Sequence, residues 1–147
     1  MHSTAREEIK EELNFRDVVV TTPQKSIDIA AEEARRCIAA GKGYYFRNFF
    51  FKPRFLDVGS RIYYVEHPYV RGFAEVSLIT TGNMRCETTG TDWGDGYHAI
   101  MPAKSWHWIE PIEMRGFQGW RYFDYPRDKV IITGDWLMPK PIMPSSK

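Results

Sequence analysis

Lys42 and Arg47 stand five places apart in Gly41-Lys42-Gly43-Tyr44-Tyr45-Phe46-Arg47, and here the residue types are those that could do chemistry. An ammonium and a guanidinium bind phosphate or carboxylate, the guanidinium bidentately, and the neighbouring flat rings stack on planar ligands. Glycine on both sides of Lys42 lets backbone come close to a bound group. Together these suit a nucleotide better than a neutral metabolite. Lys42 would also act as a base if burial lowered its pKa, or would simply favour the negative end of a helix dipole. Arg47 would equally serve an ion pair with a strand neighbour. Of Tyr44, Tyr45, Phe49 and Phe51, alternation turns some into the core and leaves the others free to stack a base.

A helix and a strand must position this stretch. Ile27, Ala30, Ala31, Ala34 and Ile38 recur at helical spacing over residues 23–40, with Glu32, Glu33, Arg35 and Arg36 as the wet face and Gly41 as a left-handed cap. From Gly43 the period changes to that of a strand, over 44–51. Upstream, Thr4 and Glu7 form a capping box for a short surface helix, and Asp17–Thr21 reads as a β-branched strand. Downstream, 61–65 and 70–79 read as strands joined in a hairpin through Glu66-His67-Pro68-Tyr69, and 80–98 as a long loop, partly stranded. Further strands are expected from Trp106, over 119–125 and over 129–133. The expected architecture is a small α+β domain, a mixed β-barrel with flanking helices, over residues 18–138. Residues 1–17 would be a helical extension and 139–147 a disordered tail.

Composition bounds the function. At 147 residues the chain fits one domain with its own core, and its 43% hydrophobic and 15% aromatic content is globular. Its net charge of +1 is unevenly spread: residues 41–72 hold six Lys and Arg against two Asp and Glu. A local basic patch on a near-neutral protein attracts a phosphate or a short stretch of nucleic acid, without the global field of a protein that coats duplexes. Cys37 and Cys86 match neither a metal spacing nor a disulfide framework, and no apolar run is long enough to span a membrane. These features predict a cytoplasmic protein with no metal and no cofactor.

Other candidates are scattered. Arg61 and Arg71 extend the basic set along two strands. Glu75, on an otherwise apolar strand, must find a partner or titrate upward. Trp106 and Trp108 share one face of a strand and would either wall a pocket or fill the core. Gly116-Phe117-Gln118-Gly119-Trp120-Arg121-Tyr122 reads as a tight turn presenting Gln118, Trp120 and Arg121, whether to a base or merely to solvent. Asp92, Asp95 and His98 fall at intervals of three, but the intervening glycines argue against a helical metal face.

Gly41-Lys42, Arg47, Asp57-Val58-Gly59-Ser60-Arg61-Ile62-Tyr63-Tyr64 and Val70-Arg71-Gly72-Phe73-Ala74-Glu75-Val76 resemble the ASCH domain of the PUA-like superfamily over roughly residues 18–80. Gly41 sits one place closer to the lysine than in the family pattern, and Tyr45 stands where that pattern has a glutamate. The resemblance implies a PUA-like barrel with a cleft for RNA or modified nucleosides, lined by Lys42, Tyr44, Arg47, Arg61, Arg71, Trp106, Trp120 and Arg121. In some relatives it also implies hydrolysis of an N4-acylated cytidine or of RNA, which would fall here to Lys42 as base with Tyr45 and Glu75. A tyrosine with its ordinary pKa of about 10 is hard to activate at neutral pH, so Tyr45 weakens that reading. Three functions stay open: a binder of RNA, nucleotide or nucleoside, a nucleoside hydrolase, and a partner-binding module forming a homodimer through its aromatic patch.

Overall fold

The computed structural model describes residues 15–21, 32–33, 35–41, 44–49, 52–85, 90 and 92–135, and for 44–48 and 93 the backbone. The expected N-terminal helix, most of the first half of the second helix, Lys42 and the tail lie outside these residues. Eleven strands follow in order: β1 Val18–Thr21, β2 Tyr44–Phe49, β3 Arg61–Glu66, β4 Tyr69–Glu75, β5 Leu78–Thr81, β6 Met84–Arg85, β7 Asp92–Gly94, β8 Tyr97–Pro102, β9 His107–Glu113, β10 Trp120–Tyr122 and β11 Ile132–Asp135. Residues 32–33 and 35–39 are helical, and Gly41, at φ 76°, turns the chain out of the helix as a left-handed cap.

The strands form three sheets. Six run in the order β10-β1-β3-β4-β9-β11, three as β2-β8-β5, and two as β6-β7. β1 lies parallel to β3, and the other pairs are antiparallel, so the large sheet is mixed. Among the described residues no hydrogen-bonded closure joins these sheets into a barrel; β10 and β11 are the edges of an open sheet. Two further expectations are corrected. The strand read over 70–79 ends at Glu75, because Val76 donates to the Ser60 carbonyl and Ser77 to the Ile100 carbonyl, which carries the chain from the large sheet to β5 in the smaller one. The long loop over 80–98 contains β6, β7 and the start of β8.

The middle residues of the central strands β1, β3 and β4 are mostly apolar on both faces, because both faces are covered. Val18, Val20, Ile62, Tyr64, Ala74 and Trp108 join one core with Ala99 and Met101 of β8 and Phe49 of β2. Val19, Tyr63, Val65, Val70, Phe73 and Ile109 join a second, closed by Phe117, Phe123, Tyr125 and Val130 from the chain after β9. At one end of the sheet Asp17 ties this covering chain down: it accepts from Arg127 Nε at 3.0 Å and Nη2 at 2.7 Å, and from the Arg61 N–H at 2.8 Å.

Gly72 is needed where β4 crosses β9. A Cβ there would come within 2.4 Å of the His107 carbonyl oxygen, and backbone cannot step aside as a side chain can. We expect Gly72→Ala to destabilise the fold by about 1–3 kcal/mol, read as a lower urea midpoint. A second expectation concerns Tyr63, which is fully buried; burial pushes its hydroxyl above the ordinary tyrosine range, and the hydrogen bond from Arg61 opposes this only partly. The folded protein therefore holds a proton that the unfolded chain releases near pH ~10, so stability falls as pH rises above that value. Tyr63→Phe should flatten this alkaline decline in equilibrium unfolding, and an unchanged slope would refute the assignment.

Candidate nucleic-acid interface

The end of the large sheet formed by Thr21, the β3–β4 turn and the end of β9 is crossed by a loop, residues 114–119, that carries the chain from β9 over to β10. Three backbone donors fix it: Met114 N–H on the Pro68 carbonyl at 2.9 Å, Gly116 N–H on His67 Nδ1 at 2.8 Å, and Phe117 N–H on Thr21 Oγ1 at 2.9 Å. Because His67 Nδ1 accepts, its ring carries its proton on Nε2. A loop held at three points presents its side chains with little freedom left to lose on binding.

Beside this loop lies a hollow of about 280 Å³ lined by Pro68, Tyr69, Glu113, Met114 and Arg115. Tyr69 and Glu113 are cross-strand partners, so a ring and a carboxylate line the same wall. Tyr69, Pro68 and Met114 are half-buried and supply an apolar floor, while Glu113 and Arg115 are exposed. Chemically, the hollow offers stacking surface, a carboxylate acceptor for amines and a guanidinium for phosphate. Farther along, the Arg121 guanidinium sits 4.3 Å from the Phe117 ring centroid, so an exposed cation is set on an aromatic platform.

The residues expected from sequence are dispersed. Lys42 lies outside the described residues, and Tyr44, Tyr45 and Arg47 are described as backbone on β2, paired with Pro102, Met101 and Ala99. Trp106 is a correction: at 1% exposure it belongs to the main core, its ring tilted against that of Tyr64 with centroids 4.5 Å apart, and Trp108 is buried with it, so they wall no open pocket. Arg71 is a second correction, since it is 1% exposed, paired with the buried Glu66 carboxylate and set over Trp108. Arg61 donates to the Tyr63 hydroxyl at 3.0 Å and lies 4.1 Å over Phe73. Glu75 is exposed, its N–H bonded to Ser105 Oγ, which removes the expectation of a buried acid in need of a partner. Trp120 and Arg121 are neighbours on the edge strand β10 but face opposite sides, Trp120 packed against the main core and Arg121 over Phe117 of the second.

Sequence reasoning treated Pro68 and Tyr69 as a mere hairpin joint and passed over Glu113, Met114 and Arg115. The available signal was Gly116-Phe117-Gln118-Gly119 directly after them, a turn cluster leading into Trp-Arg. Among the described residues no group of three or more His, Cys, Asp or Glu side chains is placed to hold a metal ion; Asp92 caps the Gly94 N–H and His98 Nε2 bonds the Gly82 carbonyl.

No family model matches this chain, and no curated protein matches it. Among solved structures it is similar to the crystal structure of a mutant of ZmASCH from Zymomonas mobilis, at 14% identity and a TM-score of 0.43, over 74% of this chain and 90% of that one. No helix among the described residues is long and apolar enough to cross a membrane.

Thr21→Val keeps the volume of the side chain and removes the acceptor of the Phe117 N–H. It should cost about 1–2 kcal/mol and raise hydrogen exchange at the Phe117 amide by roughly tenfold. Unchanged protection at that amide would show that the loop is held elsewhere.

Proposed function

We propose that this protein binds RNA or a nucleotide, with one nucleotide unit seated in the hollow beside residues 114–119. The observation that carries this reading is the hollow's lining: a tyrosine ring, an apolar floor, one carboxylate and one arginine, the last on a loop fastened to the sheet by three hydrogen bonds. The base stacks on Tyr69, Glu113 accepts from an exocyclic amine, and Arg115 meets the phosphate. Lys42 and Arg47, the latter on β2, are further cations for the same ligand in this reading. Binding is preferred to hydrolysis because Glu75, one of three residues expected to act on an acylated cytidine, is an exposed side chain at the end of β4, outside the hollow.

The test is equilibrium binding of mononucleotides. Arg115→Ala is expected to weaken it by about fivefold to tenfold, the value of a lost charge-assisted contact, and Tyr69→Ala by a similar factor. If wild type binds neither nucleotides nor short RNA, or if both variants bind as wild type does, the proposal is wrong. Lys42→Ala and Arg47→Ala report in the same assay whether the basic stretch takes part.

A further inference from the structure

We infer that the edge strand β10 carries a second subsite, so that the ligand is a single strand of RNA several nucleotides long. This rests on the reading of the hollow as a nucleotide site and extends it along the sheet edge. Arg16 lies 3.9 Å from the centroid of the Tyr122 ring and 6.0 Å from that of Phe55, and Arg54 lies 5.3 Å from Phe55. Phe55 and Tyr122 are 6.0 Å apart, and Tyr122 meets Trp120 edge-on at 5.0 Å. The three rings are half-buried, so each keeps part of its surface open at the edge of the sheet, and Arg54 is exposed.

The cluster is built as a rigid unit. Arg16 N–H donates to the Phe55 carbonyl at 2.8 Å, Phe55 N–H to the Tyr122 hydroxyl at 3.0 Å, and Lys52 Nζ to the Leu56 carbonyl at 2.9 Å. Asp124 holds the Arg16 guanidinium through two bonds, at 3.1 and 2.6 Å, which fixes its plane while neutralising part of its charge. Arg54 and Arg121 remain exposed for phosphate. Fixed rings and guanidinium planes stack on bases that are splayed out, as in single strands, and not on bases already stacked and paired in a duplex.

Position makes the two subsites one track. Three strand spacings of ~4.8 Å separate β4, at the hollow, from β10, about 14 Å across the sheet, and Tyr122 is level with Ile62 while Tyr69 is level with Glu66, four residues or about 13 Å along the strands, so the subsites lie about 20 Å apart. That is roughly six nucleotides at ~3.4 Å each if the strand stays stacked, and fewer if it is extended. A free nucleotide can fill only the hollow.

The experiment is fluorescence anisotropy with mixed-sequence RNA of one, four and eight nucleotides, and with the eight-mer annealed to its complement. Affinity should rise at least about tenfold from mononucleotide to single-stranded eight-mer, and the duplex should bind more weakly than the single strand. Arg54→Ala and Phe55→Leu should each remove about threefold to tenfold of eight-mer affinity and leave mononucleotide affinity unchanged; circular dichroism checks that both variants fold. An eight-mer no tighter than a mononucleotide, or variants without effect on it, would overturn the track while leaving the hollow intact. Eight-mer binding that depends on Arg54 and Phe55 without any mononucleotide binding would instead sink the hollow and keep the track.

Discussion

The arrangement depends on one constraint: the middle strands of the large sheet are apolar on both faces, so neither face can be left to water. Val18, Val19 and Val20 are consecutive and all buried, and Ile62 to Val65 repeat the pattern on the neighbouring strand. At roughly 25 cal/mol per Å² of apolar surface, leaving either face wet would forfeit much of the energy that holds a domain of this size together. One face is covered by β2, β8 and the turns near them; the other, among the described residues, is covered by the chain after β9. That covering chain must cross the end of the sheet to reach its place, and the crossing is the loop that flanks the hollow. The candidate site is thus a by-product of covering a core.

Charges inside this frame are placed where partners exist. Arg71 and Glu66, both buried, form an ion pair beside Trp108 in the apolar interior. Such a pair need not stabilise the fold relative to apolar residues, but removal of one partner would strand the other at a cost of about 3–5 kcal/mol. The Asp17 carboxylate does comparable work nearer the surface, joining β1, the start of β3 and the short 3-10 turn at Arg127–Lys129. These groups look like ligand contacts in a linear sequence and are structural in three dimensions.

The positive excess of residues 41–72 illustrates the same dispersal. It reads as one patch along the chain, yet Arg54 is exposed near the β10 edge, Arg61 lies on Phe73 at the opposite face, and Arg71 is in the core. Successive side chains on a strand point to opposite faces, and successive strands lie at different places in the sheet, so nearness in sequence does not become nearness in space. Arg16, Arg115 and Arg121 come instead from distant parts of the chain, and each is set beside a ring or a hollow by the packing of elements they do not belong to.

Local chemistry fixed what the sequence could reveal. The β-branched run at 18–21, the turn at 57–60 closed by Gly59 at φ 96°, the hairpin through His67 and Pro68, and the left-handed Gly41 all follow from residue-level preferences that act within a few positions. So did the character of the chain, a mixed β-rich domain with aromatic and basic residues to spare. What the sequence could not decide was which of those rings and charges face solvent. Trp106, Trp108, Trp120, Arg71 and Arg121 are of like type, but strand order and the covering of two faces buried the first two and Arg71 and left Trp120 and Arg121 at an edge. Burial is a property of pairings between residues far apart in the chain, and those pairings exist only once the sheets have assembled.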